Sequence, residues 1–100
     1  MIKEICIRGI YKNNKKKEIC VQASNECNDF TLEEINTLAL LLHTQLKPIK
    51  GKFKYIEIDF YIDNELFHDN KFYSHDILEQ DANKVAKEII ELYKYYLIRL

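Results

Sequence analysis

The sequence predicts a two-layer α+β domain, an antiparallel sheet of about four strands with two helices on one face. Three observations carry this reading. Two segments of alternating polarity precede a helical stripe, and a second such pair precedes another stripe. Turn residues separate the members of each pair. One hundred residues with 47% apolar content supply one core and no second one, so 1–100 reads as a single domain. The resulting order is ββα–ββα, and two hairpins with two helices pack most simply as two layers.

The segment Ile2–Tyr11 alternates, with Ile5, Ile7, Gly9 and Tyr11 on one face. The segment Glu18–Ser24 alternates as well, with Ile19, Val21 and Ala23 together. Asn13–Asn14–Lys15 between them is turn chemistry, because Asn tolerates positive φ. Directly paired residues must share a face, which calls for an odd loop. A three-residue loop at 13–15 pairs Ile7 with Val21 and Ile5 with Ala23. A capping box at Thr31 and Glu34 then opens a helix carrying Leu32, Ile35, Leu38, Ala39, Leu42 and Leu46 at helical spacing. Pro48 ends that pattern.

The third strand is Ile56–Ile62, with Ile56, Ile58, Phe60 and Ile62 facing inward. Phe53 and Tyr55 have the opposite phase, which predicts a bulge near Tyr55–Ile56. Asp63–Asn64 is a turn signal, and a shorter strand follows between Glu65 and Tyr73. The second helix is expected from about Ile77, capped by Asp76 with Glu79 three residues on. Its stripe is Leu78, Ala82, Val85, Ala86, Ile89, Tyr93, Tyr96, Leu97 and Leu100.

Charge is the feature that bears on function. From Glu57 to Asp81 eight acids face a single lysine, whereas residues 1–56 carry ten Lys/Arg against six Asp/Glu. The net charge of −1 therefore hides a two-signed molecule. The acidic stretch is laced with Phe60, Tyr61, Phe67, Phe72 and Tyr73. Acid with aromatic suits a surface that grips a basic partner. The expected binding residues are Glu57, Asp59, Tyr61, Asp63, Glu65 and Asp69. The bland counterpart is a solvated face whose acids pair with Arg8 and nearby lysines.

Other constellations carry less. Two lysine clusters, Lys12 with Lys15–Lys17 and Lys47, Lys50, Lys52 and Lys54, could hold a phosphate backbone, with Phe53 or Tyr55 as a stacking platform. His68–Asp69 and His75–Asp76 offer metal-ligand types, although Asp76 has its cap role and His68–Asp69 suits a polar turn. Leu40, Leu41, Tyr95 and Ile98 exceed one buried stripe per helix and suggest a homodimer or partner contact. His43 has no cysteine placed to be its partner, and no carboxylate set carries the lysine of a nuclease site.

Cys6, Cys20 and Cys27 are odd in number and lack CxxC spacing. That disfavours a disulfide framework or zinc ribbon and predicts reduced thiols in a cytoplasmic protein. The apolar start is broken at Arg8, unlike a signal peptide, and no apolar run reaches membrane length. The sequence therefore predicts a non-enzymatic protein-binding module without a cofactor, of the small-inhibitor or immunity type. The alternatives are a nucleic-acid binder and a structural homodimer or complex subunit.

Overall fold

The structure, a computed structural model, describes residues 1–23 and 30–99, and the side chains of all of these except residues 68–72. Four strands, β1 (Lys3–Tyr11), β2 (Lys16–Ala23), β3 (Phe53–Ile62) and β4 (Glu65–Tyr73), form one sheet in the order β2-β1-β3-β4. Every neighbouring pair is antiparallel. Two helices, α1 (Leu32–Leu41) and α2 (Ala82–Ile98), cover one face. This is the expected α+β architecture. Ser24 and Cys27, at and beyond the end of β2, lie outside the described residues, as does Leu100.

The core is the space between sheet and helices. Ile5 and Ile7 of β1, Ile19 and Val21 of β2, and Ile56, Ile58 and Phe60 of β3 meet Leu38 and Ala39 of α1 and Val85, Ala86, Ile89, Ile90 and Tyr93 of α2. Alternation on the strands and the 3.6-residue period on the helices account for nearly all of it. Lys3 is the departure. It shares the helix-facing side of β1 and is fully buried there.

The β1–β2 register differs from the expected one by two residues. Ile5 pairs with Val21 and Ile7 with Ile19. The loop is three residues long, as expected, but it is Lys12–Asn14. Tyr11 N–H donates to Lys15 O at 2.8 Å, and Asn14 takes the left-handed conformation with φ 69°. Asn14 rather than Lys15 occupies the position that demands positive φ, and this moves the turn one residue toward the N-terminus. A shift of two residues preserves face parity, so the inward set is unchanged.

The bulge falls close to where the phase change puts it. Ile10 pairs with Tyr55 and Tyr11 with Phe53, leaving Lys54 as the extra residue. Phe53 thereby turns inward and its ring lies flat over Gly9. A Cβ at Gly9 would sit 2.3 Å from that ring. Tyr11 packs against the same ring at a centroid distance of 5.1 Å. The β3–β4 connection is the two-residue turn Asp63–Asn64, both at positive φ, as a tight hairpin requires.

The helices begin and end for local reasons. Thr31 and Glu34 form the capping box at α1. Leu42–Leu46 continues as a π-helical turn, followed by a 3₁₀ turn over Lys47–Lys52 that contains Pro48. The Thr44 hydroxyl donates to Leu40 O at 2.7 Å, a side-chain bond that competes with the regular helical ladder. Leu32, the first helical residue, stays exposed rather than joining the stripe.

At α2 the expected cap is corrected. Asp76 sits in a separate 3₁₀ turn, His75–Glu79, begun by Ser74, whose Oγ accepts Asp76 N–H. Gln80 is extended, and Asp81 caps α2 by accepting Asn83 N–H at 3.3 Å. Glu79 pairs with Lys50 instead of closing a box with Asp76. That pairing holds its carboxyl below the usual range.

Tyr93 ties the layers together. Its ring meets Phe30, Phe60 and Phe67 edge-on, and its hydroxyl donates to Tyr61 O at 2.8 Å. Burial, then the charge of Asp63, pushes this phenol well above its ordinary value.

Two outcomes follow from this packing. Gly9→Ala forces Phe53 off its seat and should cost about 1–3 kcal/mol in urea unfolding. Adding Phe53→Leu to Gly9→Ala should recover part of that loss. The raised Tyr93 phenol means the native state keeps a proton that the unfolded chain releases above about pH 10. Stability should therefore fall as pH rises past that point. Tyr93→Phe should flatten the alkaline slope, read by denaturant midpoints between pH 9 and 11.

Candidate functional site

The sheet face away from the helices is a grid set by the ladders. Glu18, Arg8 and Glu57 form one row across β2, β1 and β3. The next row is Cys20, Cys6 and Asp59, and the third is Gln22, Glu4 and Tyr61. Alternation puts all nine side chains on one side. Four of them are carboxylates, and one is a cation.

Arg8 organises this face. Its Nε donates to Glu18 at 2.5 Å, one terminal nitrogen donates to Asp59 at 2.5 Å and reaches Glu57 at 3.4 Å, and the other donates to the Tyr61 hydroxyl at 3.2 Å. Tyr61 in turn donates to Asp59 at 3.4 Å. A guanidinium suits the place because its planar fork serves partners on two flanking strands at once. Burial pulls against its charge, but the bonds to Asp59, Tyr61 and Glu18 outweigh that and hold it firmly protonated. Asp59 is only 3% exposed, and the Arg8 guanidinium lies directly against it there. Within these three rows, and among the described residues, Arg8 against Glu4, Glu18, Glu57 and Asp59 leaves a negative surplus, and Lys16 occupies the next row of the same face.

The expected binding residues separate into two groups. Glu57, Asp59 and Tyr61 belong to the Arg8 grid. Asp63 and Glu65 lie beyond it at the β3–β4 turn, where Asp63 Oδ1 accepts Ile2 N–H at 2.7 Å. Asp69 lies on β4, and its side chain falls outside the described residues, as does that of His68. His75 Nδ1 is 3.4 Å from Asp76 Oδ1. The other contributors, Glu4 and Glu18, come from strands whose sequences are not acidic overall.

Cys6 and Cys20 face each other across β1–β2 with Cα atoms 4.2 Å apart and are joined as a disulfide. This corrects the expectation of unpaired thiols. The expected register would have set Cys6 against Gln22, so the two-residue shift is what concealed the pair.

Part of each lysine cluster meets at one end of the sheet. Lys54 Nζ donates to Asn14 Oδ1 at 2.5 Å, which brings Lys52 and Lys54 beside the Lys12–Lys17 hairpin tip. Lys12, Lys15, Lys16, Lys52 and Lys54 are exposed and form no ion pair among the described residues. Phe53 is no stacking platform, because it is buried over Gly9; Tyr55 is half-buried. The apolar excess is dispersed. Leu40 lines a groove with Ala82 and Asn83 at the start of α2, whereas Tyr95 and Ile98 stand exposed at its far end. Some 16 residues of helix separate these points, roughly 24 Å. Leu41 is partly buried against the core.

No family model matches this chain, and neither a curated protein nor a solved structure is found to be similar to it. The fold and the face thus define a class by geometry alone, a small α+β domain with an acidic, arginine-centred outer sheet. Among the described residues, no helix is long and apolar enough to cross a membrane.

Removing Arg8 tests the organisation of this face. Arg8→Ala removes the guanidinium that lies against buried Asp59 and should cost about 3 kcal/mol or more in urea unfolding. Arg8→Lys should recover only part, since a single ammonium cannot serve three directions. Asp59→Asn combined with Arg8→Ala should be less destabilised than the sum of the two single changes.

Proposed function

We propose that the protein is a non-enzymatic binding module of the small-inhibitor or immunity type, which docks its outer sheet face onto a basic surface of another protein. The observation that supports this best is the Arg8 grid. Glu18 and Glu57 are held in place by one guanidinium over the buried Asp59, and among the described residues of the grid the carboxylates outnumber that cation. Carboxylates fixed in advance lose little conformational freedom when a cationic surface arrives, so more of the attraction is realised as affinity. Tyr61 supplies flat contact area beside them, and Asp63, Glu65 and Asp69 extend the charge along β3–β4. The action is occlusion, with carboxylates standing where phosphates or another acidic ligand of the partner would sit. A cytoplasmic location is part of this proposal, and there the Cys6–Cys20 bond would be open to reduction.

A second reading is favoured by one contact. The Lys54–Asn14 bond sets Lys54 of the second cluster beside the hairpin-tip lysines, a basic end suited to a nucleic-acid backbone, while Lys50 pairs with Glu79. A homodimer through Leu40, Leu41, Tyr95 and Ile98 has weaker support, because these residues are spread over both ends of the helix layer.

The discriminating experiment is retention of partners from source-cell lysate, followed by titration of the purified partner. Wild type is compared with Glu18→Lys/Glu65→Lys, two exposed positions that spare Asp59, and with Lys15→Glu/Lys54→Glu. A basic protein bound by wild type and weakened about tenfold or more by the first variant supports docking through the acidic face. Equal binding by both would sink it. Loss of nucleic acid in the second variant alone would support the alternative.

A further inference from the structure

We propose that Cys6 and Cys20, when reduced, form with Glu4 a binding site for a thiophilic divalent cation of the zinc type, and that the filled site and the disulfide exclude one another. The ligand atoms of these three residues all lie within 4.8 Å of one another. The ladder sets Cys6 directly opposite Cys20, and Glu4 stands two residues back on the same face of β1. Two metal–sulfur bonds of about 2.3 Å at a tetrahedral angle need sulfurs roughly 3.8 Å apart. Side chains on Cα atoms 4.2 Å apart reach that separation by rotation about χ1.

The surroundings favour a cation. Gln22 donates its side-chain amide to Glu4 Oε2 at 2.6 Å and so orients the third ligand. The neighbouring Glu18, Glu57 and Asp59 outnumber Arg8, so two bare thiolates would add negative charge to a face already negative. A bound divalent ion removes that conflict. Two sulfurs and one oxygen select zinc-like ions over magnesium or calcium. Cys20 is exposed, which leaves the fourth position open to water.

Exchange between the two states balances without further reactants than a small-molecule disulfide. One cysteine thiolate attacks that disulfide and expels one thiolate. The second cysteine thiolate then attacks the mixed disulfide, expels the other thiolate and closes Cys6–Cys20. Two electrons pass from the protein to the small disulfide, and the ion is released.

The test uses the full chain carrying Cys27→Ser, so that the third thiol cannot contribute. Protein reduced with a phosphine and handled without oxygen is titrated with cobalt(II), then with zinc. A thiolate-to-cobalt charge-transfer band that saturates at one equivalent, and that zinc abolishes, is the expected result. The oxidised form should give no band, and Cys20→Ser should lose it. Glu4→Gln keeps both thiols and should weaken cobalt binding about tenfold or more. No band in the reduced protein, a band that survives Cys20→Ser, or unchanged affinity in Glu4→Gln would each overturn the site. Circular dichroism of every variant without metal separates loss of the site from loss of the fold.

Discussion

The closure of the Lys12–Asn14 turn is the constraint on which the outer face depends. With Asn14 left-handed, Tyr11 N–H reaches Lys15 O, and every later pairing between β1 and β2 is then determined. Arg8 comes to lie between Glu18 and Glu57, and Cys6 between Cys20 and Asp59. A turn displaced by one residue would keep the same side chains facing the helices, although each would sit two positions further along β1. It would, however, put different partners on the open face. Face parity alone admits several registers, whereas the pairings of the outer face belong to this one.

The fold was legible in the sequence because its signals are periodic and redundant. Ile5, Ile7, Ile19, Val21, Ile56, Ile58 and Phe60 all declare their face by alternation, and Thr31 with Glu34 announces α1. The Phe53–Ile56 phase change announces the bulge at Lys54. The outer face was less legible because it is built across strands. That Glu57 and Asp59 share a side follows from their spacing, but that Arg8 reaches both depends on the β1–β3 register. The Cys6–Cys20 pair depended on the turn, where Asn13, Asn14 and Lys15 offered two placements differing by one residue. The start of α2 was misplaced for a related reason. Ser74, Asp76 and Asp81 are all competent caps, and only the extended Gln80 decides among them. Lys3 had the right phase for burial, but a lysine there runs against the usual preference of charged groups for solvent.

The energetics of the face are asymmetric. A buried arginine–carboxylate cluster adds little net stability over an apolar replacement, since desolvation offsets most of the attraction. Its effect is geometric, because Glu18, Glu57, Asp59 and Tyr61 are fixed relative to one another by a single guanidinium. The lysines of the hairpin tip begin one to two residues along β2 from Glu18, and Lys54 is held there by Asn14.

The Cys6–Cys20 bond spans 14 residues of chain and closes them around the hairpin turn. A loop of that length removes about 3 kcal/mol worth of disorder from the denatured ensemble. It does so at the contact that sets register, so an oxidised chain that has lost its helices and the β1–β3 pairing still carries β1 and β2 aligned residue for residue. The oxidised chain begins refolding with its hairpin in register, while a reduced chain must search for that alignment among alternatives two residues apart.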